Sequence, residues 1–284
     1  MNRFAGALVA LAACAVLPMA AHAQTLRTFS TARQAHGQTR LAATIDYAAG
    51  ALTVTPGAGT HLYRMQLAFD PLRFQPLSRY ESPASTVRLG AEPLSGAVLR
   101  VASPDARVQN AVIELSPRVD LSLRLSLGAV DGAVELGGLR VTDLHMTSGP
   151  SRATLRFSRP NAVRCGTATI EAGAAELAVI GLGNSRCQRI DVEGGIGRLT
   201  LDFGGEWREN ADVSVRMTVG ELVIRLPRDV GIQLSLDRFL AAFKPAGLVQ
   251  RGTTFVSPGY DEATRRLDIA LTTAVGGVRI EWID

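Results

Sequence analysis

The 284 residues carry 30 Lys and Arg against 26 Asp and Glu, a net charge of +4, with 46 % hydrophobic and 5 % aromatic residues. Lys244 is the only lysine, so the basicity is carried by arginines interspersed with acids, as Arg198 beside Asp202 or Arg225 near Glu221. That pattern reads as a solvated face, and without a stripe of arginines interleaved with aromatics it excludes a nucleic-acid-binding surface.

The N-terminus reads as an export leader. Arg3 supplies the positive region, the run from Phe4 to Met19 has no charge, and Ala21-His22-Ala23 is an A-x-A cleavage pattern before Gln24. Residues 1–23 are therefore expected to be a signal peptide, and the mature chain to be exported, most readily to a periplasm. Leu11-Ala12-Ala13-Cys14 resembles a lipobox and keeps open a second route, lipidation at Cys14. No later segment approaches the roughly 20 apolar residues of a membrane span.

Gln24 to about Gln38 is polar and reads as a mobile lead-in. A β-rich N-terminal lobe is expected over 24–117. In it Ile45/Tyr47, Gly50 and Leu52/Val54 form one strand–glycine–strand figure, and Pro56-Gly57 makes a turn. Leu62 to Phe69 is a further strand, Pro71 to Pro76 and Ser82 to Pro93 read as irregular, and Val98 to Val101 and Val108 to Leu115 resume the strands. Pro117 is the expected boundary.

From 118 to 284 the same figure recurs: an alternating apolar run, a glycine, then a second run whose inward positions have changed parity. It is seen at Leu121 to Leu127 then Val134/Leu136, at Leu144/Met146 then Ala153/Leu155/Phe157, and at Ala168/Ile170 then Leu177/Val179. It continues at Ile190/Val192 then Leu199/Leu201/Phe203, at Val213 to Val219 then Leu222/Ile224/Leu226, and at Leu267 to Leu271 then Val278/Ile280/Trp282. Side chains alternate faces along a strand, so a parity change lets the chain turn a corner while keeping one face inward. Second strands at 136, 155, 179, 201 and 224 give steps of 19, 24, 22 and 23 residues. Such a period predicts an all-β solenoid of stacked two-strand turns. Asp237 followed by Phe239, Leu240 and Phe243 at helical spacing predicts a short helix capping the open end of the stack.

Cys165 and Cys187 are 22 residues apart, one repeat. Strands about 4.8 Å apart place equivalent residues of neighbouring turns within disulfide reach, so a bond is expected in an oxidising compartment, against the alternative of two buried thiols.

The β pattern is similar to the toast-rack family of bacterial envelope proteins and, more distantly, to the β-solenoid domains of cell-wall-active antibiotics response proteins and candidate adhesins. The stretches that carry the resemblance are Tyr47–Val54 with Leu62-Tyr63, Val219–Gly231, Asp237–Leu240 and Gly276–Ile280. It implies a β-solenoid at the cell envelope with an interaction or stress-sensing role, and an envelope protein or cell-wall component as partner. It carries over no catalytic residues.

Chemistry is sparse. His36, His61 and His145 have no metal-ligand spacing. Gly183-Asn184-Ser185-Arg186-Cys187 lacks the closing glycine of a nucleophile elbow, and Gly194-Gly195-Ile196-Gly197 reads as a corner rather than a phosphate cradle because no helix follows. Neither a metal nor a cofactor is expected, and the leading expectation is a non-catalytic module. The alternative is a glycan-active enzyme. Asp202, Glu206, Glu209 and Asp212 cluster around one turn with Trp207 among them, and two carboxylates about 5–9 Å apart beside an aromatic platform would suit glycoside hydrolysis. The competing reading is a solvated turn whose tryptophan packs on the edge of the stack.

Overall fold

The structure, a computed structural model, describes residues 26–94 and 109–284. The expected leader with Ala21-His22-Ala23, Cys14 and the strand expected at Val98 to Val101 lie outside the described residues.

The described residues form one sheet of sixteen strands. These are β1 (Arg27–Gln34), β2 (Arg40–Pro56), β3 (His61–Phe69), β4 (Phe74–Glu81), β5 (Thr86–Pro93), β6 (Asn110–Leu115), β7 (Asp120–Glu135) and β8 (Arg140–Ser148). They continue with β9 (Ser151–Arg156), β10 (Cys165–Ile180), β11 (Cys187–Asp202), β12 (Ala211–Pro227), β13 (Gly231–Phe243), β14 (Val249–Arg251), β15 (Thr254–Val256) and β16 (Arg266–Ile283). The parallel stack runs from β2 through β7, β8 with β9, β10, β11, β12 and β16 to β13. Register partners such as Leu125↔Met146, Ile170↔Val192 and Val192↔Val215 are 21, 22 and 23 residues apart, so each turn lies in phase on the last. The steps of 24, 22 and 23 are those of Leu155↔Val179, Val179↔Leu201 and Leu201↔Ile224. The first step is corrected: Leu155 lies against Val134, not Leu136.

In most turns the two expected strands are one continuous strand bent at its middle. In β11, Ile190 and Val192 point into the core before the bend, and Leu199 and Leu201 after it. Between these runs the register omits one position per turn, so that Ala172↔Gly194 is followed by Ala174↔Ile196, and Gly194↔Met217 by Ile196↔Val219. A few residues later Gly197, Gly220 and Gly276 lie in one column with φ of 135°, 137° and 132°. This is backbone that L-residues avoid, and a Cβ at Gly220 would overlap the carbonyl oxygen of Gly197, as one at Gly276 would overlap that of Gly220. These three positions therefore admit only glycine.

Four expectations are corrected. The lead-in is ordered from Arg27: β1 pairs antiparallel with β3 along its whole length. Much of the segment read as irregular from Ser82 to Pro93 is β5, whose Val87, Leu89 and Ala91 alternate inward against β2. Among the described residues strand β4 pairs with β5 alone, so Pro76 lies on an edge strand, where proline is tolerated. The expected helix at 237–243 is the second half of β13. Ile232 and Leu234 are buried, the bend falls at Phe239, and Ala241 turns inward again, the repeat figure without its corner glycine. Twelve register pairs to β16 outweigh a helical propensity that seven residues could not sustain alone. Finally, β16 lies between β12 and β13, parallel to both, so the last strand in sequence is not the last turn of the stack.

Cys165 and Cys187 are register partners on β10 and β11 and are joined by a disulfide. Only β-structure and one 3-10 turn, Leu182–Ser185, are found among the described residues, and no helix there is long and apolar enough to cross a membrane.

Gly220→Ala should destabilise the protein by about 2–4 kcal/mol, combining backbone strain with overlap. Gly277→Ala, where an added methyl meets nothing within 4 Å, should be near neutral, and thermal unfolding of the two variants checks the contrast. Non-reducing peptide mass spectrometry should recover the Cys165–Cys187 pair, and its removal should cost about 2–4 kcal/mol.

Candidate functional site

Two places bring polar side chains together: the acidic turn after β11, and a groove crossing the bends.

The acidic turn is held by contacts between successive turns of the stack. Trp207 stacks on Phe203 with ring centroids 6.4 Å apart, and its Nε1 donates to the Phe203 carbonyl at 2.7 Å. Its other side meets the preceding turn, where a Cβ on Gly183 would strike the indole nitrogen. The ring is thus a packed, part-buried plug, not an open sugar platform. Glu206 binds Arg208 at 2.8 Å. Glu209 lies between Arg164 at 2.9 Å and Arg186 at 3.2 Å. Asp202 accepts from the Gly204 N–H at 2.9 Å and lies 3.9 Å from Arg225. Asp212 stands apart on β12, in register with Arg189 and Asp268.

The protonation pattern follows these partners. The hydrogen bond from Arg208 lowers the Glu206 carboxyl. Burial on its own would raise Glu209, but hydrogen bonds from Arg186 and then Arg164 hold it below the usual carboxylate range. Glycoside hydrolysis needs one of its two carboxyls kept protonated near neutrality. Both glutamates here are pulled the other way, toward permanent charge.

Two asparagines that sequence reading passed over bind the same loops together. Asn161 donates to the Val141 and Ser185 carbonyls at 2.6 and 3.0 Å and accepts from the Val141 N–H at 2.9 Å. Asn184 donates to the Phe157 carbonyl and accepts from the Glu206 N–H, both at 2.9 Å. They are 23 residues apart, as Arg164 and Arg186 are 22 apart, so reading polar residues in phase with the repeat would have found them. Ser185 is also spent on structure: its hydroxyl donates to the Leu182 carbonyl at 2.7 Å and accepts from the Cys187 N–H. Gly194, Gly195 and Gly197 lie within strand β11 at the bend, and no helix follows them. Among the described residues no three His, Cys, Asp or Glu gather as metal ligands.

The groove, of about 770 Å³, runs across the turns beside the bends. Gly128, Gly149, Gly173 and Gly195 leave its floor without side chains, and Asp46, Glu92, Glu171 and Glu193 stand along it. Arg88 pairs with Asp46 at 2.7 Å and Arg216 with Glu193 at 2.7 Å. The floor is bare because backbones nearly touch there: a Cβ on Gly128 would overlap the Ala48 carbonyl oxygen, and one on Gly195 would crowd that of Gly173. Such a trough can receive an extended chain.

Residues 22–180 match a protein family described as the N-terminal domain of toast_rack, DUF2154. Among solved structures the chain is similar to a candidate cell-adhesion protein from Clostridium sporogenes, at 14 % identity over 91 % of this chain and 100 % of that one, with a TM-score of 0.49. A candidate adhesin from Bacteroides fragilis is similar at 12 % identity over 90 % of this chain and 98 % of that one, with a TM-score of 0.41. No curated protein matches.

Because the folded Glu209 carboxyl is lowered, its contribution is present above the unfolded carboxylate value of about 4.3 and is lost as pH falls through the folded value. Glu209→Gln should therefore cost about 1–3 kcal/mol at pH 7. That gap should close in acid, as melting temperatures of the two proteins across pH would show.

Proposed function

Since the chain belongs to the toast-rack family, we propose that it is a non-catalytic module of the bacterial cell envelope that presents a rigid β surface to a protein or cell-wall partner. The observation that carries this reading is the disulfide set in register within the stack. A bond of this kind persists in oxidising compartments outside the cytoplasm, in keeping with the leader-like N-terminus ending at Ala23. The acidic turn supports the same reading, because Glu209 and Trp207 are taken up in holding loops together and Glu206 in an ion pair with Arg208.

In this proposal residues 24–117 form an N-terminal lobe that closes one end of the stack, residues 118–284 form the solenoid lobe, and the binding surface spans both. The groove across the bends is the favoured surface. Its floor is shaped by backbone approach and stays fixed while its rim supplies charge, and a partner's arrival there is the event a stress-sensing role would report.

A photo-crosslinking residue in place of Glu171, exposed on the groove rim, should give discrete adducts with an envelope protein or cell-wall fragment in intact cells. The same residue in place of Arg189, away from the groove, should not. No adduct at either position, together with glycan hydrolysis that Asp202→Asn, Glu206→Gln and Asp212→Asn remove, would replace this reading with the enzymatic one.

A further inference from the structure

Strand β13 closes the C-terminal end of the stack only in its first half. Its inner side pairs with β16 from Gly231 to Phe243, whereas on its outer side β15 covers only Gln233 to Ser235. From Leu236 to Phe243 no strand among the described residues pairs with the outer edge. An open edge of this kind offers its backbone to another strand, and soluble proteins usually blunt it with lysine, proline, a charged run or a covering element. Here the middle of the edge is apolar: Phe239 is 79 % exposed and Leu240 65 %. Leu240 also ends an outward apolar column. Ile196, Val219, Val275 and Leu240 are register partners on successive turns, and each is exposed. Lys244-Pro245 follows at once, confining the open stretch to about eight residues.

The other end of the molecule differs. There, among the described residues, β1 and β4 are the outer strands, and their exposed residues include Arg27, Ser30, Gln75, Ser78, Arg79 and Glu81. A head-to-tail stack would set the apolar β13 edge against that polar end and would leave open ends without limit. A two-fold pairing of β13 with itself closes the assembly and matches apolar to apolar. In an antiparallel pairing centred between Phe239 and Leu240, each Phe239 faces a Leu240, Asp237 faces Ala242 and Arg238 faces Ala241, so no like charges stand opposite.

We propose that the Leu236–Phe243 edge is a dimerisation site, at which a second copy of this chain adds its own β13 antiparallel across a two-fold axis. The two stacks then join end to end into one continuous sheet. The inference rests on the edge itself and stands whether or not the envelope reading does.

Sedimentation of the purified protein, disulfide intact, from about 1 to 100 μM should show a reversible monomer–dimer equilibrium, the range where a modest interface is half-formed. Hydrogen exchange on the unmodified protein should show amides of 236–243 gaining protection with concentration. Phe239→Arg combined with Leu240→Arg places four like charges at the axis and should weaken dimerisation by about a hundredfold. Both side chains are exposed, so the melting temperature of the monomer should be kept. Ile196→Arg, three turns inward along the apolar column, should leave the dimer intact. A monomer throughout the range, a dimer in which 236–243 gains no protection, or open-ended oligomers would each overturn the proposal.

Discussion

The close approach of one backbone turn to the next at the bends governs this molecule. A parallel ladder holds neighbouring strands about 4.8 Å apart, and a strand that changes direction mid-course must change it at the same place in every turn. The shared bend drives the carbonyl of one turn toward the α-carbon of the next, which is why a Cβ at Gly197, Gly220 or Gly276 would overlap a backbone oxygen of its neighbour. With that column in place, every other feature falls into phase: inward residues form continuous core columns such as Ile170–Val192–Val215–Leu271, and loops at the strand ends stack as well.

The same phase organises the charged surface. Glu176, Arg198 and Glu221 are register partners on successive turns, and Arg198 reaches Glu221 at 3.0 Å while Arg279 reaches it from the far side at 2.8 Å. Sequence neighbours gave the wrong partner here: Arg198 pairs with Glu221 one turn on, not with Asp202 four residues ahead. Exposed pairs of this kind contribute at most about 1 kcal/mol each. Their use is to disfavour a slipped stack, in which like charges would stand opposite one another. The part-buried Arg164–Glu209–Arg186 bridge does similar work at the loop ends, with Asn161 and Asn184 bonding carbonyls the ladder does not reach.

Much of this was legible because a repeat writes one structural constraint several times. The alternation of Ile190/Val192 with Leu199/Leu201 identified the inward faces and the parity change, and the 22-residue spacing of Cys165 and Cys187 identified their register. What was not legible depends on information that does not repeat. Nothing local in Leu267–Trp282 says that it inserts between β12 and β13, because its alternation suits any parallel neighbour. Phe239, Leu240 and Phe243 have helical spacing for an unrelated reason: the first two face solvent at a bend without glycine, and Phe243 packs edge-on against Phe255 at 5.2 Å. The cluster of acids around Trp207 looked like chemistry because sequence shows the carboxylates and hides the arginines that reach them from other turns.

The insertion of β16 also explains why the stack ends as it does. A solenoid that simply ran out would leave its final turn held on one side by a strand formed just before it. Here the final turn, β13, is held by the last strand of the chain, and the loop between them supplies the β14–β15 hairpin that covers Gln233 to Ser235. That loop covers one arm of the bent strand and leaves the other bare, because a three-residue strand cannot follow β13 around its bend. The bare arm carries Phe239, the residue at the bend itself, where the next two turns inward carry Ala274 and Thr218 and those beyond carry Gly195 and Gly173. A surface that is glycine through the middle of the stack and phenylalanine at its end is graded from a groove into a knob. The groove can admit an extended chain, whereas the knob suits a flat apolar contact, so the two are separate surfaces on one scaffold.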